Sequence, residues 1–131
     1  MKLLVDSDCL VGAFREGDPH STAATELIDK HSRSGTKLHA SNLVIQESAT
    51  VLSHRVGMDA VRLFYQKYPK LGLYIVDIDP ALEKLSWDIF LRQTKKGTSF
   101  VDCSNLAVIQ KYKLEGILSF DSFYPKSLLV H

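Results

Sequence analysis

The chain has 131 residues, the length of one ordinary domain, and its 45% apolar content is enough to bury a core without covalent staples. A net charge of +1 with no long run of either sign excludes a surface built for indiscriminate nucleic-acid binding, so any such contact must be a local patch. The two cysteines, Cys9 and Cys103, lie far apart in no metal-ligand spacing; they suggest no zinc site and read as reduced, largely buried thiols of a cytoplasmic protein.

Taken in chain order, Lys2 to Val5 is a short strand that stops at the acidic cluster Asp6-Ser7-Asp8. Its apolar run, Leu3-Leu4-Val5, is too short for a signal peptide or a membrane span. Residues 21–34 form a helix with Ala24, Leu27, Ile28 and His31 on one side, ended by Gly35. A second strand follows over Lys37 to Ala40. Asn42 to Val56 is a helix whose spine is Ile45, Ala49, Leu52 and Val56, ended by Gly57, and Asp59 to Tyr68 is another, closed before Pro69.

Leu73 to Ile78 is apolar on both faces, the pattern of a buried parallel strand. Pro80 to Lys95 is a long helix carrying Leu82, Leu85, Ile89 and Phe90, and Gly97 breaks the chain after it. Asp102 to Leu114 is helical, Gly116 follows, Ile117 to Phe120 is a fourth strand, and Leu128 to Val130 is a candidate fifth. Strands alternating with helices imply one α/β domain over residues 1–131, with helices on both faces of a parallel sheet of four to five strands.

In such sheets ligands bind beyond the carboxyl ends of the strands, where the strand order switches. Asp6 and Asp121 each directly follow a strand. Either alone is explained as a turn residue, since turns favour Asp; the pair, on strands that can be neighbours, points to a site. Asp102 stands three residues after Ser99, in a segment like a capping box with Asp in place of Glu or Gln. Capping accounts for it locally, but Phe100 and Val101 place this helix start partly inside, where a carboxylate requires a positive counterpart. Glu47 is in mid-helix on the flank of Leu43, Thr50 and Val51, and its spacing decides nothing, because most helix glutamates are solvated.

Four segments together resemble the PIN-domain ribonuclease family: Leu3-Leu4-Val5-Asp6-Ser7-Asp8, Ser41-Asn42-Leu43-Val44-Ile45-Gln46-Glu47, Thr98-Ser99-Phe100-Val101-Asp102 and Ile117-Leu118-Ser119-Phe120-Asp121. They stand in family order and cover essentially the whole chain. Two departures are visible. The fourth segment continues as Ser122-Phe123, without the second acid common there, and position 8 is Asp where Asn or Ser is usual. Asp8 is either a substitute for that acid or a turn residue.

The resemblance implies a PIN-like three-layer α/β/α fold and a site formed by Asp6, Glu47, Asp102 and Asp121. Crowded carboxylates raise one another's pKa unless a cation neutralises them, and an all-oxygen set without Cys or His favours Mg²⁺ or Mn²⁺. The implied reaction is hydrolysis of RNA phosphodiester bonds, with Asp6, Asp102 and Asp121 as principal metal-site acids and Glu47 at a metal-bound water or a second metal. Thr98 and Ser99 would hold the start of the Asp102 helix or touch a phosphate. Arg15, His20, Arg92, Lys95 and Lys96 are candidates for RNA phosphates, each also explained as solvated surface charge, and Trp87 and Tyr65 read as core or dimer contacts. By resemblance the chain is a VapC-like toxin of a toxin–antitoxin pair, a homodimer inhibited by a partner antitoxin.

Two other functions fit parts of the pattern. Val5-Asp6-Ser7-Asp8 also matches the Asp-x-Asp nucleophile of haloacid-dehalogenase-type phosphatases, but Asp121-Ser122 lacks the later acidic pair and the chain has no room for a cap. A PIN-like module retained only for RNA or protein binding would not need all four acids.

Overall fold

A computed structural model describes all 131 residues. Strand β1 (Lys2–Val5) leads into helix α1 (Ser7–Phe14), followed by α2 (Ser21–Arg33), β2 (Lys37–Ser41), α3 (Asn42–Arg55) and α4 (Met58–Lys67). A 3-10 turn over Tyr68–Leu71 precedes β3 (Tyr74–Val76), and α5 (Pro80–Leu91), α6 (Phe100–Tyr112) and β4 (Gly116–Leu118) complete the order. All pairings are parallel and the strand order is β3-β2-β1-β4.

The topology follows from this order. From β1 the chain builds outward through β2 to β3, then crosses back through α5 and α6 to place β4 on the other side of β1. The order therefore reverses between β1 and β4, the position where α/β sheets bind ligands. Side chains alternate across the sheet at the period of two. Leu3, Val5, Leu38, Ala40 and Leu118 enter the core shared with Leu10, Ala24, Ile28, Val44, Leu52 and Phe64. Leu4 and Ile117 enter the opposite core with Leu82, Ile89, Ala107, Val108 and Tyr124. The result is the expected α/β/α sandwich, and both cysteines are buried and free.

Several expectations change. Helix α1 begins at Ser7, immediately after β1, where the sequence suggests only an acidic turn; its eight residues are too few to show a clear period. β3 has three residues rather than six and lies at the sheet edge, with Tyr74 53% and Ile75 46% exposed. Its apolar character is therefore not that of an interior strand. On α3 the buried residues are Val44, Ser48 and Leu52, while Val56 is exposed, so the true inner face is rotated from the expected spine. α5 stops at Leu91, four residues before Lys95, and Gly97 turns the following loop at φ +87. The fifth strand reduces to one bridge, Ile117 to Leu129, flanked by Ile117 N–H donating to Leu128 O and Val130 N–H donating to Ile117 O.

Candidate active site

Asp6 is the centre of the arrangement. It caps α1, its Oδ1 accepting from Ser7 N–H at 2.8 Å, and its own N–H donates to Leu118 O, which joins the ends of β1 and β4. It is 2% exposed. Its carboxylate also accepts from Ser119 Oγ at 2.8 Å and from Asn105 Nδ2 at 3.2 Å. Three donors from three elements thus hold one buried carboxylate, which is how a buried anion is tolerated.

Asp102 arrives on the first turn of α6, whose start is set by Ser99: its Oγ accepts from Asp102 N–H at 3.4 Å. Tyr124 OH donates to Asp102 Oδ1 at 3.1 Å and accepts from Asn105 Nδ2 at 3.0 Å. Asn105 and Tyr124 therefore link Asp6 to Asp102 through neutral donors. Glu47 reaches the cluster from α3, with Ser7 Oγ donating to its Oε1. Asp121 follows β4; its N–H donates to Ser119 Oγ at 3.0 Å and its Oδ1 accepts from Phe123 N–H at 2.9 Å. The four expected acids converge from β1, α3, α6 and the end of β4.

The electrostatics are those of uncompensated negative charge. Burial, then the neighbouring charge of Asp6, pushes Asp102 up to about 7, with Asp121 and Glu47 adding to the shift. Asp6 is raised by burial and, more weakly, by Asp121, against the lowering effect of the nearby polar groups of Ser119, Ser7 and Tyr124. Glu47 is raised by burial and by Asp6, against the Ser7 hydrogen bond. The Tyr124 hydroxyl, buried between Asp6 and Asp102, is pushed far up and stays a donor. All three ion pairs, Arg15–Asp18, Arg62–Asp59 and Lys111–Asp79, lie outside the cluster.

Asp8 has a different task from the acids beside it. Its Oδ2 accepts from Phe120 N–H at 2.9 Å and lies 3.3 Å from Ser119 Oγ, whose single proton goes to Asp6 at the shorter 2.8 Å, so it braces the segment carrying Asp121 against α1. It stands in the first turn of α1 rather than in a loop turn, and its Oδ1 is buried without a hydrogen-bond partner. Burial and Asp6 raise it to about 6.

The remaining expected residues divide. Ser99 caps the Asp102 helix as anticipated, whereas Thr98 Oγ1 donates to Lys95 O at 2.7 Å and ties the preceding loop. Arg15 is held by Asp18 at 3.5 Å, Arg92 Nε donates back to Asp88 O, and Lys95 and Lys96 are exposed in the α5–α6 loop. His20 stacks on Phe120 with centroids 4.2 Å apart and planes 7° apart, adjacent to Asp121 in sequence. Tyr65 and Trp87 are exposed, not core.

Sequence reasoning missed Asn105, Ser119 and Tyr124. A signal existed for Asn105: it is a polar residue one helical turn after Asp102, amid Val101, Leu106, Ala107 and Val108, and positions three apart share a helix face. Ser119 is likewise the one polar residue in the apolar run 117–120. Tyr124 carried no local signal.

A buried acid cluster at the β1/β4 switch of a four-stranded parallel sheet, flanked by helices on both faces, defines a PIN-like fold. VapC20 of Mycobacterium tuberculosis, described as a sarcin-ricin loop cleaving toxin, shares that fold with a TM-score of 0.80, over 92% of this chain and 91% of that one, at 22% identity. No family model matches the chain, and no curated protein matches it in sequence.

Proposed function

We propose that the chain, acting as one PIN domain over residues 1–131, is a divalent-cation-dependent endoribonuclease of the VapC type, the toxin of a type II toxin–antitoxin pair. One observation carries the reading: Asp6, Glu47, Asp102 and Asp121 converge at the sheet switch with no basic partner, which leaves a charge that a cation would answer. The fold neighbour VapC20 is itself described as a cleaving toxin, which supports the same chemistry here.

The donor set fits Mg²⁺ or Mn²⁺. It offers only hard carboxylate oxygens, and no three acidic, His or Cys side chains close around one point as a preformed cage. Mg²⁺ suits such an open site, because it keeps several waters and takes one or two carboxylates together with substrate phosphate. When bound, the cation would supply Lewis-acid activation of water and neutralisation of phosphate charge.

The residues divide the remaining work. Asp6 and Asp102 are the acids that would hold the cation, their carboxylates accepting from Ser119, Asn105 and Tyr124, and a bound cation would draw both to the anionic form. Asp121 would complete the acidic wall beside them. Glu47 is aimed by Ser7, in a position to accept a proton from, or orient, the attacking water. The leaving oxygen would be protonated from solvent, since no neutral acid in the cluster is assigned to it.

This reading includes an RNA substrate, an antitoxin partner, a homodimer and a cytoplasmic setting. Exposed Trp87, Leu91, Tyr65 and Ile75 support protein contacts. No helix is long and apolar enough to cross a membrane.

Asp6→Asn and Glu47→Gln test the assignment, both being near-isosteric. Each is expected to lower single-turnover RNA cleavage by one to several powers of ten, about 1.4 kcal/mol of barrier per tenfold, with circular dichroism unchanged. Mn²⁺ should raise the melting temperature of the unmutated protein and raise that of Asp6→Asn less. Unmutated rates in Glu47→Gln would remove it from the site, and unfolding of Asp6→Asn would make Asp6 a structural residue.

A further inference from the structure

A small cleft opens beside the acid cluster, between the α1–α2 connection and the C-terminal half of α3, lined by Ser7, Asp8, Val11, Asp18, His20, Val51 and Arg55. We propose that it is a subsite for single-stranded RNA next to the cleaved bond, with Arg55 taking a backbone phosphate and His20 presenting a stacking face to a base. The proposal rests on the ribonuclease reading and specifies how that site would hold its substrate.

Position is the first argument. Glu47, Val51 and Arg55 recur every four residues on α3 and so share one face of the helix. At 1.5 Å per residue, Arg55 stands about 12 Å along the helix axis from Glu47. The cleft begins at Ser7, whose hydroxyl bonds Glu47, so the path from the acids to Arg55 is continuous.

Charge is the second. Two acids line the cleft; Asp18 is engaged through both oxygens and Asp8 through Oδ2, while Asp8 Oδ1 has no partner. Asp18 accepts from His20 N–H at 2.8 Å and from the Arg15 guanidinium at 3.5 Å, and Asp8 accepts from Phe120 N–H. Arg55 belongs to none of the three ion pairs and is an exposed residue. Guanidinium donors are arranged as a planar fork that matches phosphate geometry.

Shape is the third. The cavity is about 130 Å³, room for a compact group such as a phosphate. At the cleft lining stands His20, an exposed residue whose ring lies flat on Phe120. A flat ring held in place is the platform on which unpaired bases stack. Arg92, Lys95 and Lys96 line no part of this cleft.

The test is single-turnover cleavage of a single-stranded RNA oligonucleotide by Arg55→Gln, Arg55→Lys and His20→Ala, over a range of RNA and salt concentrations. Arg55→Gln should raise the half-saturating RNA concentration about tenfold, with the larger effect there rather than in the maximal rate. It should also reduce the salt slope of apparent affinity by about 0.7, the value for one lost phosphate contact on a single strand. Arg55→Lys should restore the slope. His20→Ala should weaken affinity about tenfold without changing the slope, as loss of a stacked base does. The Mn²⁺-induced rise in melting temperature should match the unmutated protein in all three, which separates this subsite from the acids.

Unmutated half-saturation and salt slope in Arg55→Gln, in a protein that does cleave RNA, would overturn the subsite and leave the ribonuclease reading standing. Failure of the unmutated protein to bind or cleave RNA in Mn²⁺ would overturn both.

Discussion

The two ends of the strand order make opposite use of the same backbone. On the β1–β4 side the strands are buried except for Lys2, the C-terminal segment covers β4, and side chains near the switch are tied across elements: Asp6 to Ser119 and Asn105, Tyr124 to Asp102, Asp8 to Phe120. On the β2–β3 side the sheet ends in a three-residue strand with exposed Tyr74 and Ile75. Beside it an apolar groove of about 310 Å³ runs between α3 and α4 along Ile45, Ala49, Val61, Phe64 and Tyr65. The closed side can hold carboxylates at fixed positions because burial makes each hydrogen bond costly to break. The open side has nothing to position, so it tolerates exposed apolar surface and imposes little geometry. Substitutions on the two sides should therefore differ in kind.

The largest effect on stability is expected at Gly116, where β4 passes under the C-terminal segment. A Cβ there would lie 2.5 Å from Leu128 O and 2.6 Å from Val130 Cγ2, and the Leu128 carbonyl can yield only by moving backbone. Gly116→Ala should cost about 1–3 kcal/mol in denaturant unfolding, the range for overpacking a filled core. A loss below that range would mean that the Leu128–Val130 cover lifts easily, and the closed side is less closed than its packing indicates.

Tyr124→Phe sharpens the contrast, since it keeps the ring and removes only the hydroxyl between Asn105 and Asp102. Partners that orient metal ligands are worth about 10–100-fold in metal affinity. The Mn²⁺ concentration giving half the thermal shift should rise about tenfold, while the metal-free protein loses about 1 kcal/mol, the net worth of one hydrogen bond. An unchanged Mn²⁺ midpoint would reduce Tyr124 to packing.

Protonation should act on the closed side alone. In the folded, metal-free protein Asp102 is raised from 3.8 to about 7, and Asp8 from 3.8 to about 6. The folded state thus binds more protons than the unfolded state between those limits, so this part of the stability declines as pH rises. It is fully present below about pH 4 and lost above about pH 7. The melting temperature of metal-free Asp102→Asn should decline less steeply with pH across that window. Added Mn²⁺ should oppose the decline, because cations compete with protons for the same carboxylates.

The smallest effect is expected on the open side. Tyr65 is 72% exposed at the rim of the groove, and Tyr65→Ala should change stability by no more than about 0.5 kcal/mol and leave the Mn²⁺ midpoint unaltered. A larger loss in the purified protein, growing with protein concentration, would show that the groove is covered by a second copy.

How much of this was legible before folding depends on how far each signal reaches. Alternating strand and helix patterns sufficed for the α/β class, and Asp6 and Asp121 were legible as acids near two strand ends, though β4 stops at Leu118 rather than at Phe120. Both are local properties of backbone period and turn chemistry. Glu47 could not be separated from any solvated helix glutamate by spacing; only the packing of α3 against α1 brings Ser7 to it. The exposed placement of β3 was likewise hidden, because an apolar run reads the same at the centre of a sheet and at its edge until the strand order is known. Asn105, Ser119 and Tyr124 are separated from Asp6 by 99, 113 and 118 positions, and Asp8 meets Phe120 across 112. Residue chemistry alone thus determined which groups could carry charge; the parallel crossover that sets β4 beside β1 decided which of them meet, because hydrogen bonds and mutual repulsion act over a few ångströms and only the closed sheet brings them within that range.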